Sequence, residues 1–373
     1  MRTLIFDMTL TGHHLEYLHH YYRGILTRMN EDFVICVPED DFKKQKENYI
    51  WQDSDNVFFE FLSSEDLHYV FCKSGIKRYF AEAKLIAQKA RDLNVNRVIL
   101  TNFIHTIPFL LWFMPNKVKV RGIVYRIYLY GKKNFRYRIE NFCYWLMAKS
   151  KVMDKIFILN DQNSADCLNN IHKTDKFTFL PDPVPEVDKS KLENIRSLYD
   201  IPIRNKVFLH FGGLTKRKGT LEILKAIDLC DKEMLKDKTF IFAGRIYDDM
   251  SEDFYKLKNA VIQKTQILVF DEFCSYEFLY KLCYSSDVIL MPYQQTNLSS
   301  GVLGYAAVFS KPVVGPKGGL IGSLIDSYQM GYCLPEISSN ALAESFVINN
   351  NVISSYDYEK RNSLDKFIDS ILD

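Results

Sequence analysis

The pattern best suited to binding an anion lies in residues 291–323, MPYQQTNLSSGVLGYAAVFSKPVVGPKGGLIGS. The apolar run 288–293 ends at a proline, as a buried parallel strand does, and small apolar residues at helical spacing follow from Gly301. A helix that begins at Ser299-Ser300-Gly301 points several backbone N–H groups into the preceding loop, where a phosphate is favoured. The alternative is that Ser299 or Ser300 only caps the helix.

A second candidate ligand site follows the first strand. The run 3–7, TLIFD, leads into TGHH, where Gly12 permits a tight strand-to-helix turn and His13 lies at the carboxyl end of the strand. Four histidines cluster here, but no complementary spacing of acids and histidines accompanies them. We therefore expect packing, capping or substrate contact from these histidines, and no metal.

Strand and helix patterns alternate along both halves of the chain, which is typical of parallel α/β sheets. Three prolines in residues 181–185 stiffen a connector, and 373 residues fit two domains. Apolar periodicity predicts helices at 14–26, 76–93, 135–149, 189–199, 220–229, 276–285, 342–350 and 356–372.

The composition is that of an ordinary globular protein, because 47% of the residues are hydrophobic and 25% are charged. Eight scattered cysteines form no CxxC pair or zinc-binding spacing, which predicts buried thiols in a reducing cytosol. The amino-terminal residues lead straight into a strand rather than into a signal peptide. The longest apolar run, 107–115, is about half of the roughly 18 residues that a membrane span requires.

The net charge of +2 is unevenly distributed. Residues 117–155 contain eleven lysines and arginines but only two acidic residues, a net charge of +9, with eight aromatic residues interleaved. A basic amphipathic segment of this kind fits an anionic bilayer surface. Nucleic acid is the rival partner, but no motif that reads DNA or RNA is present, and a solvated basic face is the bland alternative. We therefore predict contact with an anionic membrane surface and no nucleic acid partner.

Four segments of the second half resemble the retaining group-1 glycosyltransferases of the GT-B fold. They are FGGLTKRKGTLEILKAI (211–227), FAGR (242–245), LYKLCYSSDVILMPY (279–293) and SSGVLGYAAVFSKPVVGP (299–316). The resemblance implies an α/β protein with two Rossmann-like, doubly wound domains that face each other across a cleft. It implies an acceptor-side domain at 1–184, a nucleotide-sugar-binding domain at 185–355, and a helix at 356–373 that crosses back to the first domain.

The resemblance also assigns roles to individual residues. Lys218 matches the family's lysine that contacts the donor diphosphate, where an ammonium supplies a point charge. Ser299, Ser300 and Gly301 match the loop whose amides hold the donor phosphates. Arg245 matches a strand-end residue of looser role. The base-binding loop of the family corresponds to a segment that includes Phe273.

Several positions depart from the family pattern. The family usually has an arginine where this chain has Gly213, and Arg217 is a possible substitute. Two family glutamates, one near the transferred sugar and one on the ribose, correspond to Asn297 and Tyr305. A phenol or an amide can form a hydrogen bond to a hydroxyl but cannot supply negative charge.

In the first domain, the family often has a histidine near the sugar. Arg126 lies at or near that place, and His105 is a nearby alternative. The loop of Gly12 and His13 would border the reacting sugar and the acceptor.

These features predict a cytoplasmic glycosyltransferase, peripheral to the inner face of the membrane, that takes part in surface polysaccharide synthesis. It would move a sugar from a nucleotide-diphosphate donor to a glycan or lipid-linked acceptor, with retention and without a metal or other cofactor. The loss of both glutamates favours one alternative, a non-catalytic nucleotide-sugar-binding protein. A nucleotide-sugar epimerase of the same fold is the second, and a peripheral membrane scaffold that uses the basic segment is the third.

Overall fold

A computed structural model describes residues 1–10, 14–28, 30–46, 51–52, 54–101, 103–125, 135–348 and 356–373. Three predicted site residues, Gly12, His13 and Arg126, lie outside the described residues, as does the part of the basic segment at 126–134. The chain forms two compact units, one made of Met1–Pro181 with Leu364–Asp373 and the other of Asp182–Ser363.

The first unit is built on a parallel sheet. Its described strands are β1 (Arg2–Phe6), β2 (Asp32–Pro38), β3 (Val57–Leu62), β4 (Arg97–Leu100), β5 (Lys119–Val124), β6 (Met153–Leu159) and β7 (Phe177–Leu180). Their order across the sheet is β3-β2-β1-β4-β5-β6-β7. The connections therefore reverse direction between β1 and β4, and ligands of such sheets bind at the carboxyl ends of the strands beside this switch point.

Helices cover both faces of the first sheet. They are α1 (His14–Ile25), α2 (Glu39–Gln45), α3 (Ser64–Phe71), α4 (Gly75–Asp92), α5 (Ile107–Phe113), α6 (Phe135–Lys149) and α7 (Gln162–His172). Successive side chains of a strand point to opposite faces. Leu4 and Phe6 thus enter the hydrophobic core on one side of the sheet, and Ile5 enters the core on the other side with Leu15 of α1.

The second unit repeats this architecture. Its described strands are β8 (Lys206–Phe211), β9 (Lys238–Ala243), β10 (Gln266–Phe270), β11 (Val288–Leu290), β12 (Val313–Pro316) and β13 (Gly331–Leu334), in the order β10-β9-β8-β11-β12-β13. Its helices are α8 (Thr220–Leu229), α9 (Lys232–Leu235), α10 (Asp248–Val261), α11 (Tyr276–Ser285), α12 (Gly301–Val308), α13 (Gly319–Ser327), α14 (Ser339–Ser345) and α15 (Tyr356–Arg361). The switch point of this sheet lies between β8 and β11.

The predicted helix at 189–199 is wrong. Only one turn of 3₁₀ helix forms there, at Lys189–Lys191, and the chain is irregular after it. Ile195 N donates to Ser285 Oγ at 3.0 Å, and the Arg196 guanidinium binds Ser285 O at 3.0 Å and Asp287 Oδ2 at 2.6 Å. These contacts with the start of β11 and the end of α11 replace the hydrogen bonds that a helix would make.

The predicted continuous helix at 356–372 is also wrong, because it is broken at Asn362 into α15 and α16 (Leu364–Leu372). Asn362 is fully buried, its Oδ1 accepts from Asp182 N at 3.0 Å, and its backbone oxygen accepts from Val184 N at 2.9 Å. Helix α15 packs against α12 and belongs to the second unit. Only Leu364–Asp373, which include α16, belong to the first unit. The unit boundaries thus lie at 181/182 and 363/364, where the sequence had suggested 184/185 and 355/356.

In the part of the chain that the structure describes, no helix is both long and apolar enough to cross a membrane.

Candidate functional site

The carboxyl end of β8 carries a tight turn at the switch point of the second sheet. The turn contains Gly212 and Gly213, and a 3₁₀ helix, Lys216–Lys218, leads into α8. Gly219 joins the two helices at φ +70°, and a Cβ there would lie 2.0 Å from Pro292 O. Only glycine fits at this position, so the loop after β11 can approach the turn after β8 closely.

Lys218 lies inside this turn. Its Nζ is 3.4 Å from Phe211 O and 5.5 Å from the centre of the Tyr293 ring. A Cβ on Gly212 would come within 2.6 Å of the same Nζ. The ammonium therefore lies directly over the turn at the carboxyl end of β8, as expected of a group that binds phosphate at this edge of the sheet.

The loop before α12 adjoins Lys218. Tyr293 OH lies 3.3 Å from Ser300 Oγ, and Gln294 N donates to Arg217 O at 2.8 Å. The structure thus brings together residues that are roughly 80 positions apart in sequence. Lys218 lies over the face of the Tyr293 ring, and the start of α12 lies at the hydroxyl of the same ring.

Ser300 is the N-cap residue of α12, but its side chain makes no capping hydrogen bond. Ser299 Oγ instead donates to Asp182 Oδ2 at 2.5 Å. A Cβ on Gly301 would meet no atom within 4 Å, so the space beside the first turn of the helix is open. The Ser300 side chain therefore does not cap the helix, and the helix end can present its N–H groups to an anion.

Asp182 was not singled out from the sequence. It is 7% exposed, it stands between two prolines, and its carboxylate fixes the loop that contains Ser299. The only sequence signal that Asp182 holds this loop was its position as an acidic residue inside a proline-rich connector.

The buried side chain of His210, on β8, forms hydrogen bonds with β11 and with the start of α8. Its Nδ1 is 2.9 Å from Leu290 O and its Nε2 is 3.0 Å from Thr220 Oγ1. Because a carbonyl oxygen only accepts, Nδ1 carries the proton and Nε2 accepts from the Thr220 hydroxyl. Burial lowers the pKa of His210 to about 4, so the ring is neutral at pH 7. The ring therefore links β8, β11 and the start of α8 without adding charge.

The two positions where glutamates were expected lie on α12 and in the loop before it. Tyr305, on α12, is half-buried, and its ring centre lies 5.3 Å from that of Phe211 and 5.7 Å from that of Tyr280. Asn297 is half-buried in the loop before α12. The aromatic contacts anchor the Tyr305 ring next to the strand that leads into the Lys218 turn.

The remaining predicted donor residues lie on neighbouring strand ends. Arg245 follows β9 and is exposed, and its backbone oxygen accepts from Leu214 N at 2.9 Å. Phe273 follows β10 and is 87% exposed. Arg217 is half-buried on the 3₁₀ helix next to Lys218. All of these residues belong to the carboxyl edge of the second sheet.

The first unit has a polar cluster at its own switch point. Asp7, just after β1, is 5% exposed, and its Oδ2 accepts from Thr101 Oγ1 at 2.5 Å and lies 2.7 Å from His14 Nδ1. Thr101 follows β4, so the cluster joins the two strands that flank the reversal. Asp7 was not among the predicted site residues. Its sequence signal is its position, because it is an acidic residue at the end of the first buried strand.

His105 lies near the carboxyl end of β4, on the 3₁₀ helix Ile104–Thr106. Its ring stacks on Tyr79 of α4, with ring centres 5.1 Å apart. One turn further along α4, burial raises the pKa of Glu82 to about 7, and the charge of Arg78 opposes this shift. The structure thus places His105 shortly after the carboxyl end of β4 in the first sheet.

Among the described residues, no group of three or more His, Cys, Asp or Glu side chains is arranged to hold a metal ion.

Comparison with known proteins identifies the architecture. No protein-family model matches the chain, and no curated protein sequence matches it. WaaG, described as a glycosyltransferase involved in lipopolysaccharide biosynthesis, is 14% identical with a TM-score of 0.69, covering 100% of both chains. HepE of Anabaena in complex with UDP-glucose is 13% identical with a TM-score of 0.70, covering 100% of this chain and 98% of that one. A UDP-forming α,α-trehalose-phosphate synthase from Burkholderia vietnamiensis is 9% identical with a TM-score of 0.66, covering 99% and 98%.

These similarities show that the chain has the GT-B fold, with two α/β domains on parallel sheets, and they confirm the predicted fold class. The structural neighbours are GT-B glycosyltransferases. Because one fold hosts many reactions, the reaction of this chain has to be argued from its own site residues.

Proposed function

We propose that this protein transfers a sugar from a nucleotide-diphosphate donor to a glycan or lipid-linked acceptor in surface polysaccharide synthesis. One observation carries the proposal. At the switch point of the second sheet, Lys218 Nζ lies over the Tyr293 ring, and the Tyr293 hydroxyl lies 3.3 Å from Ser300 Oγ at the start of α12. An ammonium and a helix N-terminus at this place suit a diphosphate. The neighbours that bind UDP-glucose or form UDP share the fold of this unit and support a nucleotide-sugar donor.

The proposed chemistry is electrostatic. The bond between the anomeric carbon and the diphosphate oxygen breaks, and its electron pair leaves with the nucleoside diphosphate. Lys218 and the α12 N–H groups stabilise the negative charge that develops on that leaving group. The acceptor hydroxyl oxygen bonds to the anomeric carbon on the face that the diphosphate leaves, and its proton passes to the departing phosphate. This course retains configuration and needs neither a metal nor a protein carboxylate.

The donor prediction is tested with a thermal-shift panel of UDP-, GDP-, dTDP- and CMP-sugars. At a hundredfold excess over the dissociation constant, a ligand that binds only the folded state adds about 2.7 kcal/mol, so the melting temperature rises measurably. Hydrolysis of each stabilising nucleotide sugar is then measured with and without EDTA, and we expect equal rates. The absence of any shift would contradict a nucleotide-sugar site, and a loss of activity in EDTA would contradict the metal-free mechanism.

Asn297 and Tyr305 favour the main alternative, a non-catalytic protein that binds nucleotide sugar. This alternative predicts no turnover with any acceptor fraction, even where a nucleotide sugar stabilises the protein. An epimerase of the same fold predicts a changed sugar nucleotide without any acceptor. Product analysis by NMR separates these outcomes from transfer and also reports the configuration of the new bond.

We further propose that the first unit binds an anionic membrane surface from the cytoplasmic side. On α6, Phe135, Ile139, Phe142 and Trp145 recur at helical spacing and are 77%, 47%, 53% and 46% exposed. The neighbouring α5 packs against α6 and adds Trp112, which is 78% exposed. Apolar side chains on a helix that also exposes Arg138 suit insertion at the level of anionic head groups.

The double variant Phe142→Ala/Trp145→Ala is expected to reduce binding to vesicles that contain phosphatidylserine by roughly tenfold or more, because it removes two of the inserted aromatic side chains. The measurement is cosedimentation, with phosphatidylcholine vesicles as the uncharged reference. The matched control is Leu198→Ala/Ile203→Ala, since these second-unit side chains are 71% and 94% exposed. Equal binding by both double variants would rule out this face.

A further inference from the structure

The turn after β8 is held beside the turn after β9 by backbone pairing that continues past the strand ends. Leu214 N donates to Arg245 O at 2.9 Å, and Tyr247 N donates back to Leu214 O at 3.2 Å. Leu214 and Ile246 also form an isolated parallel bridge. Tyr247 therefore has a fixed backbone position next to the Gly212-Gly213 turn.

Asp271 secures the same segment from β10. Its Oδ1 accepts from Ile246 N at 2.7 Å, and its Oδ2 accepts from the Tyr255 hydroxyl at 2.9 Å. The residue before Tyr247 is thus tied to a neighbouring strand end, and little rearrangement is needed for Tyr247 to act on a ligand. Donors fixed in advance in this way are the most effective at stabilising charge.

The Tyr247 side chain lies over the turn. A Cβ on Gly213 would be 3.3 Å from Tyr247 Cε2 and 3.8 Å from its hydroxyl oxygen, while a Cβ on Gly212 would be 2.6 Å from Lys218 Nζ. A phenol and an ammonium therefore lie above two consecutive residues. Tyr247 is also 54% exposed, so its hydroxyl is accessible to a ligand in the turn.

The N-terminus of α10, the helix that follows Tyr247, is not suited to bind the same anion. Asp248 and Asp249 occupy the first turn of α10, and these carboxylates already match the positive end of that helix. On this side of the turn, the phenolic O–H is suited to donate to an anion, and a hydrogen bond to a charged acceptor is stronger than one between neutral groups.

We propose that the Tyr247 hydroxyl binds a phosphate oxygen of the nucleoside diphosphate that Lys218 holds, and so acts at the position where the chain has Gly213 in place of a basic residue. The inference rests on the proposed function, because it needs a nucleoside diphosphate in this turn. It adds a donor-binding residue that no sequence motif had indicated. An aromatic residue shortly after the FAGR strand end was the only sequence signal for it.

The test compares Tyr247→Phe with the unchanged protein by isothermal titration calorimetry, using UDP directly and uridine in competition. GDP and guanosine serve as the second pair. The variant keeps the ring and removes only the hydroxyl. We expect about tenfold weaker UDP binding, as for the loss of one hydrogen bond to a charged group, and uridine binding unchanged within about twofold. Tyr332→Phe is the matched control, because Tyr332 is 39% exposed on β13 at the opposite edge of the sheet.

Each other outcome is decisive. Unchanged UDP binding by Tyr247→Phe overturns the inference while the proposed function stands. An equal loss for UDP and uridine also overturns it, because the hydroxyl then contacts the nucleoside rather than the phosphate. If the unchanged protein binds none of UDP, GDP and dTDP, the proposed function is wrong and the inference falls with it. A melting temperature equal to that of the unchanged protein shows that the variant is folded.

Discussion

Lys218→Ala is expected to lower the rate of sugar transfer by about 10²–10³-fold, equivalent to roughly 2.7–4 kcal/mol of lost transition-state stabilisation. The reason is its position. The ammonium lies over the turn at the carboxyl end of β8, 3.4 Å from Phe211 O, where the departing diphosphate would gain charge. The measurement is kcat/KM for transfer, or for hydrolysis of the nucleotide sugar where the acceptor is unknown.

Lys216→Ala is the matched control for this variant. Lys216 belongs to the same 3₁₀ helix and is exposed, so its removal changes the net charge equally without touching the turn. We expect its activity to stay within about twofold of the unchanged protein, since exposed charges contribute little. If both lysines had the same effect, general electrostatic attraction would replace the specific contact that we assign to Lys218.

Arg121→Met is expected to destabilise the first unit by about 3 kcal/mol. Arg121 is 4% exposed, its Nε lies 2.7 Å from Asp154 Oδ2, and its other nitrogens donate to Ile371 O at 3.1 Å and to Asp373 O at 3.0 Å. Removing one partner of a buried ion pair typically costs about 3–5 kcal/mol, and the partial exposure of Asp154 places this pair at the lower end.

Urea unfolding followed by tryptophan fluorescence measures this loss. All three tryptophans, Trp51, Trp112 and Trp145, belong to the first unit, so the signal reports on the unit that contains Arg121. Arg91→Met is the control, because the Arg91 guanidinium donates to Phe113 O at 3.1 Å from an exposed position, and we expect a loss below about 0.5 kcal/mol. Equal midpoints for the two variants would show that Arg121 does not anchor the carboxyl-terminal segment.

The parts of the fold that the sequence predicted well have strong local patterns. The helices at 135–149, 220–229 and 276–285 have the predicted bounds, since apolar residues recur at helical spacing along each of them. The parallel strands appear as continuous apolar runs because helices bury both of their faces. Two doubly wound domains follow from the alternation of these elements.

The errors arise where distant residues decide the local structure. The helix expected at 189–199 does not form because Ile195 and Arg196 bind Ser285 and Asp287. The helix expected at 356–372 breaks because the side chain of Asn362 binds Asp182 instead of facing solvent. Neither partner is near in sequence, so no local pattern could have shown these contacts.

In the candidate site too, residues with a local sequence pattern were predicted and residues that depend on distant contacts were not. Lys218, Ser299 and Ser300 stand in recognisable loops and were selected from the sequence. Tyr247 and Asp182 were missed because their relevance depends on a fold that brings them beside Gly213 and Ser299.

The membership of Leu364–Asp373 in the first unit also affects how the protein is made. The first unit is encoded in two pieces, and the whole of the second unit is translated between them. Until the last piece has left the ribosome, Phe367 cannot cover Tyr17 and Tyr21 of α1, whose ring centres lie 5.3 and 5.5 Å from its own. An apolar surface on α1 thus stays open to other molecules throughout translation of the second unit, so nascent chains should depend on chaperones for longer than domain-by-domain synthesis requires.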